Sequence, residues 1–214
     1  MTGSLDDKIF EPKENVLYQG LENLPAALWE DLAALAPGKV SRRAGVGYSP
    51  EEGYTVHFLG ADHKVQPAQR TITAPDGARQ PGFQAGLVLV SYLAKATDEI
   101  LSGRMVTERE LNGGALFFQG VHALPKERIL KKYARDGAGL VSRASLLGGT
   151  SMQAGDAAFR LLALPKALLA YTFYEEDEEF PARLTITFDA GMDSHLPLDV
   201  ILALTNVITD RLVR

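Results

Sequence analysis

The sequence predicts an α+β fold, a single domain in which a mainly antiparallel sheet is packed by helices. Three observations predict it. Near the C-terminus, apolar runs at 159–164, 167–174 and 182–188 follow one another, separated by Pro165 and Lys166 and by the acidic run at 175–179. That is the pattern of a three-strand antiparallel meander. Beyond Pro197, the residues Val200, Ile201, Leu204, Val207, Ile208 and Leu212 recur on one face of a helix, with Asp199, Asn206 and Asp210 on the others. Earlier, Tyr54, Val56 and Phe58 alternate with Thr55 and His57, as in a half-buried strand.

The elements follow in chain order. Residues 1–20 are polar and irregular and read as a flexible N-terminal arm, so the domain is expected over 21–214. A helix starts near Asn23, Leu24 and Pro25, with Pro25 at its first position. Leu21, Leu24, Leu28, Leu32 and Leu35 form its stripe beside Trp29, and Pro37 with Gly38 is expected to stop it. Residues 40–73 read as short strands, with a turn at Gly60, Ala61 and Asp62. Pro75, Asp76 and Gly77, then Pro81 and Gly82, are further turn signals. Residues 83–97 are long enough and rich enough in Ala to be a largely buried helix. A short strand is expected within 105–111, broken at Asn112, Gly113 and Gly114. A helix at 126–134 follows Pro125 and is closed by Asp136 and Gly137. A second short helix carries Leu140, Val141, Ala144 and Leu147 and stops at Gly148 and Gly149.

Composition narrows the function classes. The chain has 214 residues, 46% of them hydrophobic and 23% charged, which suffices for a core without staples. It has no cysteine, which excludes disulfides, a cysteine nucleophile, any cysteine-ligated metal and an iron–sulfur cluster held by thiolates. The net charge of −5 argues against general nucleic-acid binding. The cations Lys126, Arg128, Lys131, Lys132 and Arg135 read as a solvated helix surface. No apolar run approaches the ~20 residues of a membrane span. The first ten residues carry Asp6 and Asp7 and no apolar signal region, so a cytoplasmic location is expected.

Motifs for phosphate loops, dinucleotide binding, zinc helices and serine elbows are lacking. Gly148, Gly149, Thr150 and Ser151 read as a helix stop and loop. His57 and His63 are expected on the surface, six residues apart across a turn, and His122 in a loop. His195 stands out. It lies between Asp189 at a strand end and the helix after Pro197, with Asp193 and Ser194 beside it. The positive end of a helix favours the neutral imidazole, the form that ligates a metal or acts as a base. The plainer role for Ser194 and His195 is capping of that helix. Structural ion pairs are expected for Arg109 with Glu108 and Glu110, and for Asp156 with Arg160.

The run Arg109-Glu-Leu-Asn-Gly-Gly114, then Leu147-Gly-Gly149, Gly155-Asp-Ala-Ala-Phe-Arg160, Leu164-Pro165, Glu178-Glu-Phe-Pro181, and Phe188-Asp189 through Ser194-His-Leu-Pro197 resembles the prokaryotic family catalogued as domain of unknown function 3786. The likeness extends from about residue 80 to the C-terminus, and more loosely to the N-terminal helix and strands. The resemblance implies relatives with a cysteine-rich iron–sulfur segment, in anaerobes with corrinoid metabolism. The cluster does not carry over to a chain without cysteine.

The leading expectation is therefore a small-molecule-binding or accessory domain rather than an enzyme. Its specific form takes a tetrapyrrole-like or corrinoid-like ligand, with His195 as axial donor and Arg109 or Arg160 on its carboxylates. Asp189, Asp193 and Asp156 complete the set of candidate ligand-binding residues. The alternatives are a hydrolase with His195 as general base oriented by Asp189 or Asp193, and a protein-interaction module using the acidic tip or the basic helix.

Overall fold

A computed structural model describes residues 20–76 and 80–214. The expected arm at 1–19 and Gly77 of the expected turn lie outside the described residues. In chain order the elements are α1 (Ala26–Ala33), α2 (Pro37–Ala44), β1 (Gly47–Ser49), β2 (Gly53–Phe58), β3 (Ala61–Gln66), β4 (Thr71–Thr73), α3 (Phe83–Lys95), β5 (Met105–Thr107), α4 (Gly114–Phe117), α5 (Lys126–Tyr133), α6 (Gly137–Ser145), β6 (Thr150–Ser151), β7 (Ala157–Leu164), β8 (Ala167–Tyr174), β9 (Arg183–Asp189) and α7 (Leu198–Val213).

Two antiparallel sheets result. The first has the order β1-β2-β3-β4 and the second β5-β9-β8-β7-β6. The expected meander is the centre of the second sheet, in the register Leu161 to Leu169 and Leu169 to Phe188. The sheet gains β5 at one edge, through Val106 opposite Phe188, and β6 at the other, through Thr150 opposite Arg160. Alternation drives this assembly. Phe159, Leu161, Leu169, Tyr171, Phe173, Leu184, Ile186 and Phe188 all point into one core. The predicted α7 stripe, Val200 to Leu212, is buried against the same core, and α3 packs along α7. One continuous set of buried side chains runs from Leu24 to Leu212.

Four local expectations are corrected. Pro37 with Gly38 starts a helix instead of ending one, because proline fits the first helical turn, where its missing N–H has no partner to lose. Residues 40–44 are accordingly helical. Pro25 stands at the N-cap of α1, in extended backbone, one residue before the helix. Asp136 does not close α5. Its carboxylate accepts the Gly139 N–H at 2.8 Å and so caps α6. Finally, the β2–β3 hairpin turns at Leu59 and Gly60, both with positive φ (50° and 79°), a two-residue turn that pairs Phe58 with Ala61. Leu59 tolerates that backbone because its side chain is buried and its N–H donates to the Ala163 carbonyl at 3.1 Å.

Candidate functional site

β9 ends in Asp189, whose carboxylate turns back into the protein. Its Oδ1 accepts the N–H groups of Ser102 and Gly191, each at 3.0 Å, and its Oδ2 accepts that of Gly103 at 2.8 Å. Burial alone pushes the Asp189 carboxyl up. The three amides and the Ser102 hydroxyl together outweigh burial and hold it below the usual carboxylate range. The effect is mechanical as well as electrostatic: one buried anion ties the loop after α3 to the end of β9.

His195 tightens the same knot. The residue is 1% exposed. Its Nδ1 accepts the Thr97 N–H at 3.3 Å, with Thr97 Oγ1 at the same distance. A backbone amide can only donate, so Nδ1 is bare and the neutral ring carries its proton on Nε2. That Nε2 is sealed from solvent and has no partner among the described residues. Burial first, and the Lys166 ammonium next, hold the imidazole below its ordinary pKa, against the opposing carboxylates of Glu99, Asp189 and Asp193. Lys166, in the β7–β8 turn, donates to the Thr97 carbonyl at 2.6 Å, so both polar groups of that peptide position are held.

Neither Ser194 nor His195 caps α7, contrary to the plainer expectation. The N-cap is Pro197, without a side-chain hydrogen bond, and Ser194 Oγ donates to the Gly191 carbonyl at 2.7 Å. Asp193 instead reaches across to the loop after β5, where its Oδ2 accepts the Asn112 N–H at 2.7 Å. Gly114 must be glycine there, since a Cβ would run into the Glu108 carbonyl.

Asn112, Asp193, Ser194, Leu196, Pro197 and Leu198 line a groove of about 340 Å³ before α7. The segments after α3 and after β5, which Asp189 and Asp193 hold at Ser102, Gly103 and Asn112, carry large apolar side chains in the open: Ile100 is 81% exposed, Leu116 of α4 86% and Val121 94%. Phe117 stacks on His122 at 4.7 Å within the segment after β5.

The other sequence candidates lie elsewhere. Arg109 is exposed and forms neither expected ion pair. Glu108 faces Lys126 at 3.5 Å, and Glu110 accepts the Thr107 N–H at 2.9 Å, closing a turn. Asp156 and Arg160 do not pair either. Asp156 Oδ2 accepts the Glu175 N–H at 2.8 Å, while Arg160 points out from the sheet, three strands from β5. His63 is buried, not on the surface, with Nδ1 donating to the Ala61 carbonyl at 3.1 Å. It sits opposite Val56, so His57 projects from the other face, where its Nδ1 meets Asp62 Oδ1 at 2.8 Å. Among the described residues no cluster of three His, Asp or Glu side chains is placed to hold a metal ion, and no helix is long and apolar enough to cross a membrane.

Sequence reasoning missed Thr97, Lys166 and Asn112. Each acts through its backbone or as a single ordinary side chain, far along the chain from its partner, and no local pattern marks it.

A family model described as a domain of unknown function, DUF3786, matches residues 36–211. No curated protein and no solved structure matches the chain significantly.

Proposed function

The chain belongs to the DUF3786 family, and from that premise we propose that it is an accessory domain, binding a protein partner through the face where the loops after α3, β5 and β9 meet α7. The observation that carries this reading is the exposure of Ile100, Leu116 and Val121 on two segments that are anchored to the end of β9 and the start of α7 at Ser102, Gly103 and Asn112. Large apolar side chains held out in water cost solvation free energy that a binding surface recovers. The partner surface that suits them is apolar at its centre, with amide or cationic donors facing Asp193 and the exposed Glu99 at the rim.

A catalytic reading has less support. Among the described residues neither Asp189 nor Asp193 hydrogen-bonds the His195 ring, and the bare nitrogen that would act as base already accepts an amide. A tetrapyrrole- or corrinoid-like ligand also fits these residues poorly. Axial ligation needs a bare, accessible nitrogen, whereas Nδ1 is taken and Nε2 is protonated and sealed. Arg109 and Arg160, on separate elements three strands apart, do not converge on one ligand. Haem and cobalamins added to the purified chain should therefore leave their absorption spectra unchanged.

The test is site-specific photocrosslinking in the native host. A photoreactive residue replaces Leu116 or Val121, with Leu146, an equally apolar exposed side chain on the α6–β6 turn, as control. The reading expects a discrete protein adduct from 116 and 121, lost when Asp193→Ala frees the segment after β5 from its hold at Asn112, and none from 146. No adduct at either position, or the same adducts from all three, would overturn it.

A further inference from the structure

The second sheet buries one face and leaves the other open. Cross-strand partners share a face, so the register places Arg160 and Leu162 of β7 beside Ala170 and Leu168 of β8. Thr172 and Tyr174 lie beside Thr185 and Arg183 of β9, and Thr187 beside Thr107 of β5. Only the small Ala158 and Ala170 are buried, between larger neighbours. Leu162, Tyr174, Arg160, Arg183 and Thr185 are exposed, and Leu168, Thr172 and Thr187 half-buried. The centre is made of small side chains, which allows close approach. The exposed charges on this face are both cationic, although the chain as a whole carries −5. Arg183 lies over the Tyr174 ring at 5.2 Å, and Arg160 has no ion pair or hydrogen bond among the described residues.

The complementary surface lies on the same hairpin. The β8–β9 tip is folded tightly by Asp177, whose carboxylate accepts the N–H groups of Glu179 and Phe180 at 2.8 and 2.7 Å. Glu175 and Glu176 are engaged within the chain, by Gly137 N–H and by Arg135. Glu178 and Glu179 have no side-chain partner among the described residues, and Phe180, next in the chain, has 56% of its surface exposed. An ordered loop that presents an aromatic ring and two free carboxylates matches a face that presents leucines and a free guanidinium.

We propose that a second copy of this chain covers the open face, in a two-fold arrangement that lays Phe180, Glu178 and Glu179 of each copy against Leu162, Leu168 and Arg160 of the other. The two-fold axis passes near Thr172 and Thr185. The tip and its receptor lie at opposite ends of the strands, so an antiparallel stack of the two sheets satisfies both contacts at once. Strand spacing gives the sheet a footprint on the order of 450 Å² before the tips are added. That is toward the lower end of specific interfaces and predicts a dimer that dissociates at micromolar concentration.

Sedimentation equilibrium of the full chain, from about 1 μM to about 1 mM, tests this. The wild type should pass from monomer to dimer within that range. Arg160→Glu, and separately Glu178→Arg with Glu179→Arg, should each weaken the dimer about tenfold or more. An equimolar mixture of the two variants should restore it, since every intersubunit contact then pairs opposite charges. All three replaced residues sit on the surface, and circular dichroism confirms that the variants fold. A wild type that stays monomeric throughout, as it would if residues 1–19 of the same chain occupied the face, overturns the proposal. So does a dimer whose affinity neither variant changes.

Discussion

Replacing Asp189 by Asn removes one charge and keeps the shape, so it isolates what the buried carboxylate does. In the native protein two amide N–H groups converge on Oδ1 and one on Oδ2. The asparagine side chain keeps its oxygen on the Ser102 and Gly191 amides and turns its NH₂ toward the Gly103 N–H, donor against donor. Losing one charge-assisted hydrogen bond and leaving a buried donor unpaired costs about 3 kcal/mol. For a chain of this length each kcal/mol lowers Tm by about 2–4 °C, so the variant should melt about 6–12 °C below wild type. The deficit should also depend on pH. The folded carboxyl lies below its ordinary value, so its contribution is complete above the unfolded pKa, near 4, and is lost as pH falls through the folded one. Calorimetric scans at pH 7 and at several acid values measure both effects. A variant within about 1 °C of wild type at pH 7, or a deficit that does not shrink in acid, would refute the reasoning.

Further outcomes follow from the same geometry. His195 and His63 are both held below their ordinary pKa, burial being the larger cause in each. Well above the unfolded pKa of about 6.5 both are neutral folded or unfolded; as pH falls through it the unfolded chain takes up protons first, so stability should decline toward the folded pKa values. His195→Asn should flatten part of that decline in a melting profile from pH 7.5 to 5. Tyr133 donates its hydroxyl to the Leu212 carbonyl at 2.6 Å, clasping α5 to the end of α7. Tyr133→Phe should cost about 1 kcal/mol in urea unfolding, with the slope m unchanged.

The second sheet was legible because a two-residue period survives without any knowledge of partners. Runs at 159–164, 167–174 and 182–188 needed only their own alternation, and α7 only its stripe. The first sheet shows how small an error matters. The turn was expected at Gly60, Ala61 and Asp62, which made His63 the first residue after it and so a surface residue. The turn lies at Leu59 and Gly60, and the register it sets puts His63 opposite the buried Val56, on the core face. α2 was missed because Pro followed by Gly signals a stop as readily as a start. At the candidate site, Asp189, Asp193 and His195 were visible as polar residues between a strand and a helix. What each one holds was not, because Ser102, Gly103, Asn112 and Thr97 stand 81 to 98 residues away in the chain. Backbone amides carry no sequence signal at all.

His195 is a buried hydrogen-bond acceptor for Thr97, and the proposed partner-binding face depends on its playing that part and not that of a base or a ligand. Long-range ¹H–¹⁵N correlation of the imidazole nitrogens at pH 7 observes this directly. The structure predicts a neutral His195 with bare Nδ1 and protonated Nε2, and the opposite tautomer for His63, whose Nδ1 donates to the Ala61 carbonyl. A His195 ring that is protonated at Nδ1, or that is charged at pH 7, would contradict it.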